Sequence, residues 1–139
     1  MPSPSASFLV VDDNEDDIEL LRIAMRRCGS ACGISVATNG ADAIRRLGPG
    51  GDDRPDLVLL DWKMPGVSGA EVLRAIRENP AMRGLPVLVF SSSSAPDDIR
   101  AAHALGATGY LPKPADMSEY LRLAQALDDR WCRRGAPPG

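Results

Sequence analysis

The sequence predicts a single α/β domain, a five-stranded parallel sheet wound doubly with helices. Three observations predict it. Short apolar runs alternate with segments of helical period, making five βα units with no visible repeat. Most of the runs are unbroken, as strands are when a parallel sheet is covered on both faces. The chain, at 139 residues, has room for one substantial core and not for two.

Phe8-Leu9-Val10-Val11 reads as the first strand, interrupted by Asp12, Asp13 and Asn14. A helix follows, with Ile18, Leu21, Met25 and Cys28 at helical spacing and Gly29 placed to end it. Residues 34–37 form the second strand. Asn39 can cap a helix carrying Ala43, Ile44 and Leu47, which stops at Gly48. The stretch 48–56, GPGGDDRPD, reads as a mobile surface loop. The run 57–60 is the third strand and ends on Asp61. Ser68 and Glu71 have capping-box spacing for a helix with Val72, Leu73 and Ile76 inward.

The run 86–90 is the fourth strand, followed by four serines, Ser91 to Ser94. Pro96, Asp97 and Asp98 suit the first turn of a helix ending at Gly106. Gly109, Tyr110 and Leu111 form the fifth strand, closed by Pro112-Lys113-Pro114. Asp116 and Glu119 open the last helix, with Tyr120, Ala124, Leu127 and Trp131 on one stripe. The domain is expected over 7–132, with disorder at 1–6 and at 133–139, where Pro and Gly accumulate.

Hydrophobic residues make up 44% and charged residues 25%, the balance of a soluble globular protein. No apolar run approaches the roughly 20 residues that span a bilayer. The opening MPSPSAS lacks the basic and apolar regions of a signal peptide, so a cytoplasmic location is expected. A net charge of −3 gives no electrostatic case for binding nucleic acid or an anionic membrane. Cys28 and Cys32 have a C-x₃-C spacing with no second pair and no nearby His. That speaks against zinc and, with Cys132, for free thiols in a reducing compartment. The one histidine, His103, is expected on the surface of a helix.

In doubly wound sheets, ligands bind beyond the carboxyl ends of the strands. Asp12 and Asp13 follow the first strand, Asp61 the third, Ser91 the fourth and Lys113 the fifth. The strand order 2-1-3-4-5, taken over from known sheets of this kind, makes those ends neighbours. Three carboxylates in one crevice repel one another, and a hard divalent cation with oxygen preference relieves this. Mg²⁺ fits, because it uses one or two carboxylates, keeps waters and shares phosphate oxygens. Beside a lysine and a hydroxyl, such a cluster suits phosphoryl chemistry, with a carboxylate as the nucleophile. Asp61 is the expected acceptor, since Asp12 and Asp13 are adjacent and can share one ion.

Taken singly, each residue has a blander reading. An Asp after a strand is often a turn residue or cap, and adjacent acids often open a helix. Lys113 beside Pro114 reads as an exposed loop lysine, and serine-rich loops are common. Their joint order at successive strand ends is what carries the argument. Only Lys63 and Lys113 are Lys among sixteen basic residues, and both fall near the proposed site.

The motifs VVDDN at 10–14, LVLLDWKMPGVSG at 57–69, VLVFSS at 87–92 and GATGYLPKP at 106–114 resemble the response-regulator receivers of two-component signalling. The resemblance spans 8–131 and implies a (βα)₅ flavodoxin-like fold. It implies that Asp61 is the phosphoacceptor, that Asp13 ligates Mg²⁺ directly, and that Asp12 acts mainly through bound water. The Lys63 backbone carbonyl would be a further ligand, Lys113 the phosphate contact, and Ser91 and Tyr110 the switch pair. It also implies a cis Lys113-Pro114 bond. The Lys63 side chain, two residues after the acceptor, could reach the phosphoryl group or turn to solvent.

Such a protein is a phosphoacceptor switch rather than an enzyme. It would take its phosphoryl group from a sensor histidine kinase and signal through the fourth helix, fifth strand and fifth helix. The stretch NEDDIELL after the first strand, the later stretch NPAMRGLPVLVFSSS and a last helix ending in Trp131 resemble single-domain regulators paired with bacterial phytochrome kinases. With only a short tail after the domain, output is expected through a downstream protein or a homodimer rather than DNA. The alternatives are a docking module that works unphosphorylated, a phosphorelay intermediate, a haloacid-dehalogenase-type phosphatase and a flavin carrier. The phosphatase would need a second Asp where Lys63 stands, and the flavin carrier a phosphate-cradling loop where Asp12 and Asp13 stand.

Overall fold

A computed structural model describes residues 6–132. Five parallel strands, β1 (Ser7–Val11), β2 (Gly33–Ala37), β3 (Leu57–Leu60), β4 (Val87–Ser91) and β5 (Gly109–Pro112), form one sheet in the order β2-β1-β3-β4-β5. Between and after them run α1 (Glu15–Arg27), α2 (Gly40–Leu47), α3 (Gly69–Glu78), α4 (Pro96–Ala104) and α5 (Met117–Leu127). The expected fold class and strand order are therefore both present. Among the described residues no helix is long and apolar enough to cross a membrane.

The unbroken apolar runs have a simple cause. Successive strand side chains point to opposite faces, and here both faces are covered. Leu9, Val11, Val58, Leu60, Val87 and Val89 belong to the core with α2 and α3. Phe8, Val10, Leu57, Leu59, Leu88 and Phe90 belong to the core with α1 and α5. Most of these side chains are under 3% exposed. Burying each such side chain contributes about 1.5–3 kcal/mol, so the three central strands anchor the domain. β2, at one edge of the sheet, is only half-buried, and accordingly its sequence alternates.

Local chemistry fixes the helix ends. Asn14 Oδ1 accepts from the amides of Asp16 and Asp17, and Asn39 Oδ1 from that of Asp42. Ser68 Oγ and Asp116 Oδ1 cap α3 and α5 at the amides of Glu71 and Glu119. Pro96 opens α4, and its last turn carries the exposed His103. Gly29 leaves α1 at φ +77°, the left-handed geometry expected of it. No helix or strand lies between Leu47 and Leu57, as the loop reading required. The short helical turn Pro80–Met82 was not anticipated, while the expected helical path through Trp131 continues as a π-helical turn over Asp128–Cys132.

The cysteines require a correction. Cys32 and Cys132 are joined as a disulfide with Cα atoms 5.7 Å apart, and Cys28 alone is free. The two partners lie 100 residues apart, so local spacing could not reveal them. They meet because the start of β2 and the turn after α5 pack against the same core. The expected disorder at 1–5 and 133–139 lies outside the described residues. Ala6 is described, and its carbonyl accepts from the Gly33 amide.

Candidate functional site

Register brings the polar residues to one edge. Val11 pairs with Ala37 on one side and Leu60 on the other, so Asp12 and Asp61 emerge side by side. The ladder continues one step past the strands, with the Asp12 amide donating to Ala37 and the Asp61 amide to Val11. Likewise the Lys113 amide donates to the Ser91 carbonyl at 2.9 Å. That bond fixes where the Lys113 side chain begins. The Lys113–Pro114 peptide itself is trans, correcting the cis expectation. Trans is the form an X-Pro bond favours by about 0.5–1 kcal/mol.

The loop after Asp61 is anchored by Trp62 and Met64, both buried in the α2–α3 core. Gly66 takes φ +74°. Gly69 lies so close to the Asp61 carbonyl that an added Cβ would stand 2.8 Å from Trp62 Cα. The glycines of the D-x-x-M-P-G-x-x-G loop thus have steric work beside the acid.

One oxygen each of Asp12, Asp13 and Asp61 can be grouped within 4.8 Å of one another. Asp12 and Asp61 are 1% and 6% exposed, whereas Asp13 faces solvent. Lys113 Nζ lies 2.9 Å from Asp12 Oδ2 and 3.7 Å from Asp61 Oδ2. A fourth acid, unforeseen from the sequence, completes the group: Asp17 Oδ2 accepts from Lys113 Nζ at 2.8 Å. Its signal was present in the acidic run opening α1, five residues after Asp12. The contact itself spans 96 residues.

Burial pushes the Asp61 carboxyl up to about 6; Lys113 and the Lys63 amide pull it down, while Asp12 and Asp13 push it up. Burial would lower the Lys113 ammonium. Its bonds to Asp17 and Asp12, with the charges of Asp12 and Asp61, outweigh that and hold it above the usual lysine range. One ammonium still faces four carboxylates. Asp12 Oδ2 is buried, with the Lys113 ammonium 2.9 Å away. An all-oxygen donor set carrying more negative charge than one ammonium offsets fits a hard divalent cation. An open crevice of roughly 590 Å³ leads to it, lined in part by Asp13, Asp61, Lys63, Ser92 and Lys113.

The remaining expected residues lie around this group. Ser91 is fully buried, and its Oγ accepts from the Ser93 amide at 3.1 Å. Half-buried Tyr110 packs against the α2–α3 core, and its hydroxyl donates to the Ser93 carbonyl at 2.8 Å. The Lys63 side chain does not reach Asp61; largely exposed, it pairs with Asp98 at 3.4 Å. Ser93 and Asp98, read from the sequence only as serine-run and helix-start residues, are therefore also part of the surroundings.

The sequence profile of the response regulator receiver domain matches residues 8–125. Among individual proteins, the probable methanogenesis regulatory protein FilR2 of Methanothrix harundinacea is 32% identical, covering 95% of this chain and 87% of that one. The phosphorylated cyanobacterial phytochrome response regulator RcpA superimposes with a TM-score of 0.82 at 30% identity, over 92% of this chain and 94% of that one. The Mn(2+)-bound form of response regulator Rcp1 has a TM-score of 0.82 at 27% identity, over 98% and 100%.

Proposed function

The chain belongs to the response regulator receiver family, and from that membership we propose that it is a phosphoacceptor switch charged at Asp61 by a sensor histidine kinase. The observation that carries this is the convergence of Asp12, Asp13 and Asp61 within 4.8 Å, with Lys113 among them. One Asp61 carboxylate oxygen attacks the phosphorus of a phosphohistidine. The P–O bond forms as the P–N bond breaks, and the imidazole leaves with the electron pair. Asp12, Asp13, Asp61 and the Lys63 carbonyl would hold Mg²⁺, which offsets negative charge on the transferring group. Lys113 contributes the same offset from the other strand end, held there by Asp17 and Asp12.

In this reading the chain is a switch and not an enzyme with a turned-over substrate. Ser91 and Tyr110 convert the added charge, roughly −2, into a repacked α4-β5-α5 face. That face then meets a downstream protein or a second copy, in the cytoplasm and without nucleic acid or membrane. A phytochrome kinase is the proposed donor, a reading supported by the likeness to RcpA. Phosphotransfer profiling against purified histidine kinases tests it. A phytochrome-type kinase should label wild type rapidly and Asp61→Asn not at all. Labelling only by kinases of other classes would reject the phytochrome pairing. No labelling by any donor would favour a receiver that docks unphosphorylated.

A further inference from the structure

Beside the crevice lies a second group of polar side chains. Lys63 Nζ stands 3.4 Å from Asp98 Oδ2, on the first turn of α4. Ser93 Oγ donates to that same Asp98 oxygen at 2.5 Å and accepts from the Ala95 amide at 3.3 Å. The Ser93 amide donates to Ser91 Oγ, and the Ser93 carbonyl accepts from Tyr110. One serine thus joins both residues of the proposed switch to the partner of Lys63.

Lys63 is the more exposed member of the ion pair. Its side chain is 63% exposed against 17% for Asp98, and it lines the same crevice as Asp61. A phosphoryl group on Asp61 would offer it a second anionic destination carrying about twice the charge of a carboxylate. We infer that Asp98 is a positioning residue that holds Lys63 off the phosphoryl site and thereby sets the lifetime of the phosphoryl group on Asp61. The inference rests on the phosphoacceptor reading above.

The chemistry gives the direction. In hydrolysis water attacks phosphorus, the P–O bond to Asp61 breaks, and inorganic phosphate leaves with the water's oxygen. The carboxylate is regenerated, and the proton released passes to solvent. Water must approach phosphorus in line with the bond to Asp61. An ammonium drawn onto the phosphoryl oxygens brings the Lys63 side chain across that approach. It also fills part of the open side from which water enters. Lys63 released from Asp98 slows hydrolysis; Lys63 held by Asp98 leaves the group exposed.

The test is the decay of phosphorylated protein, followed by intact mass in wild type, Asp98→Asn, Lys63→Ala and the double variant. Asp98→Asn should lengthen the lifetime roughly threefold or more, the scale of coupling between residues in contact. Lys63→Ala should abolish that lengthening, so that the double variant decays as Lys63→Ala alone does. Ser93→Ala, which loosens Asp98 without removing its charge, should lengthen the lifetime less and only while Lys63 is present. An unchanged lifetime in Asp98→Asn, or equal lengthening with and without Lys63, overturns the inference. Wild type that takes no phosphoryl group refutes the phosphoacceptor reading and this inference with it. Normal phosphorylation without the coupling refutes this inference alone.

Discussion

At Asp61 the fold sets charge against burial. The side chain is 7% exposed, and its carboxyl is raised from 3.8 to about 6, chiefly by burial. Below pH 4 the group is protonated in folded and unfolded chains alike. Between pH 4 and 6 only the folded chain keeps the proton, so stability falls as pH rises across that window. Each pKa unit corresponds to about 1.4 kcal/mol. In chelator, Asp61→Asn should therefore be about 1–3 kcal/mol more stable than wild type at pH 7. The difference should vanish near pH 4. Urea denaturation at the two pH values checks this, and equal stabilities at pH 7 would deny the burial cost. Lys113 is the counterweight, and its placement depends on Asp17 as much as on Asp12.

At the scale of elements, what could be read in advance followed local chemistry. The caps Asn39, Ser68 and Asp116, the terminator Gly29 and the strand runs each announce themselves within a few residues. Asp12, Asp13, Asp61, Ser91 and Lys113 were legible because each ends a strand, and a parallel sheet gathers its strand ends. Asp17 was not, since α1 reaches Lys113 only after β5 has added to the sheet. Nor was the Lys63–Asp98 pair, which needs the loop after β3 to lie against the start of α4. The Cys32–Cys132 link spans 100 residues, further than either of these contacts. Closing a loop of about 100 residues stabilises by up to about 5 kcal/mol on chain-entropy grounds. Thiol titration of the unfolded protein should count one free thiol before reduction and three after. Reduction should lower the melting temperature, and three free thiols without reductant would reject the link.

Across the whole molecule, two apolar cores clamp the middle strands so that four strand ends and one helix start meet in a single crevice. The loops after β3 and β4 carry Lys63 and Ser93, which meet at Asp98. Four carboxylates around one paired lysine, the buried Asp61 among them, are what the proposed cation and phosphoryl site requires. The most direct test is intact mass spectrometry after incubation with acetyl phosphate, with Mg²⁺ or with chelator. Wild type should gain one phosphoryl group only when Mg²⁺ is present, Asp13→Asn should gain far less, and Asp61→Asn should gain none. An unmodified wild type, or an Asp61→Asn variant that gains the same mass, would contradict the account.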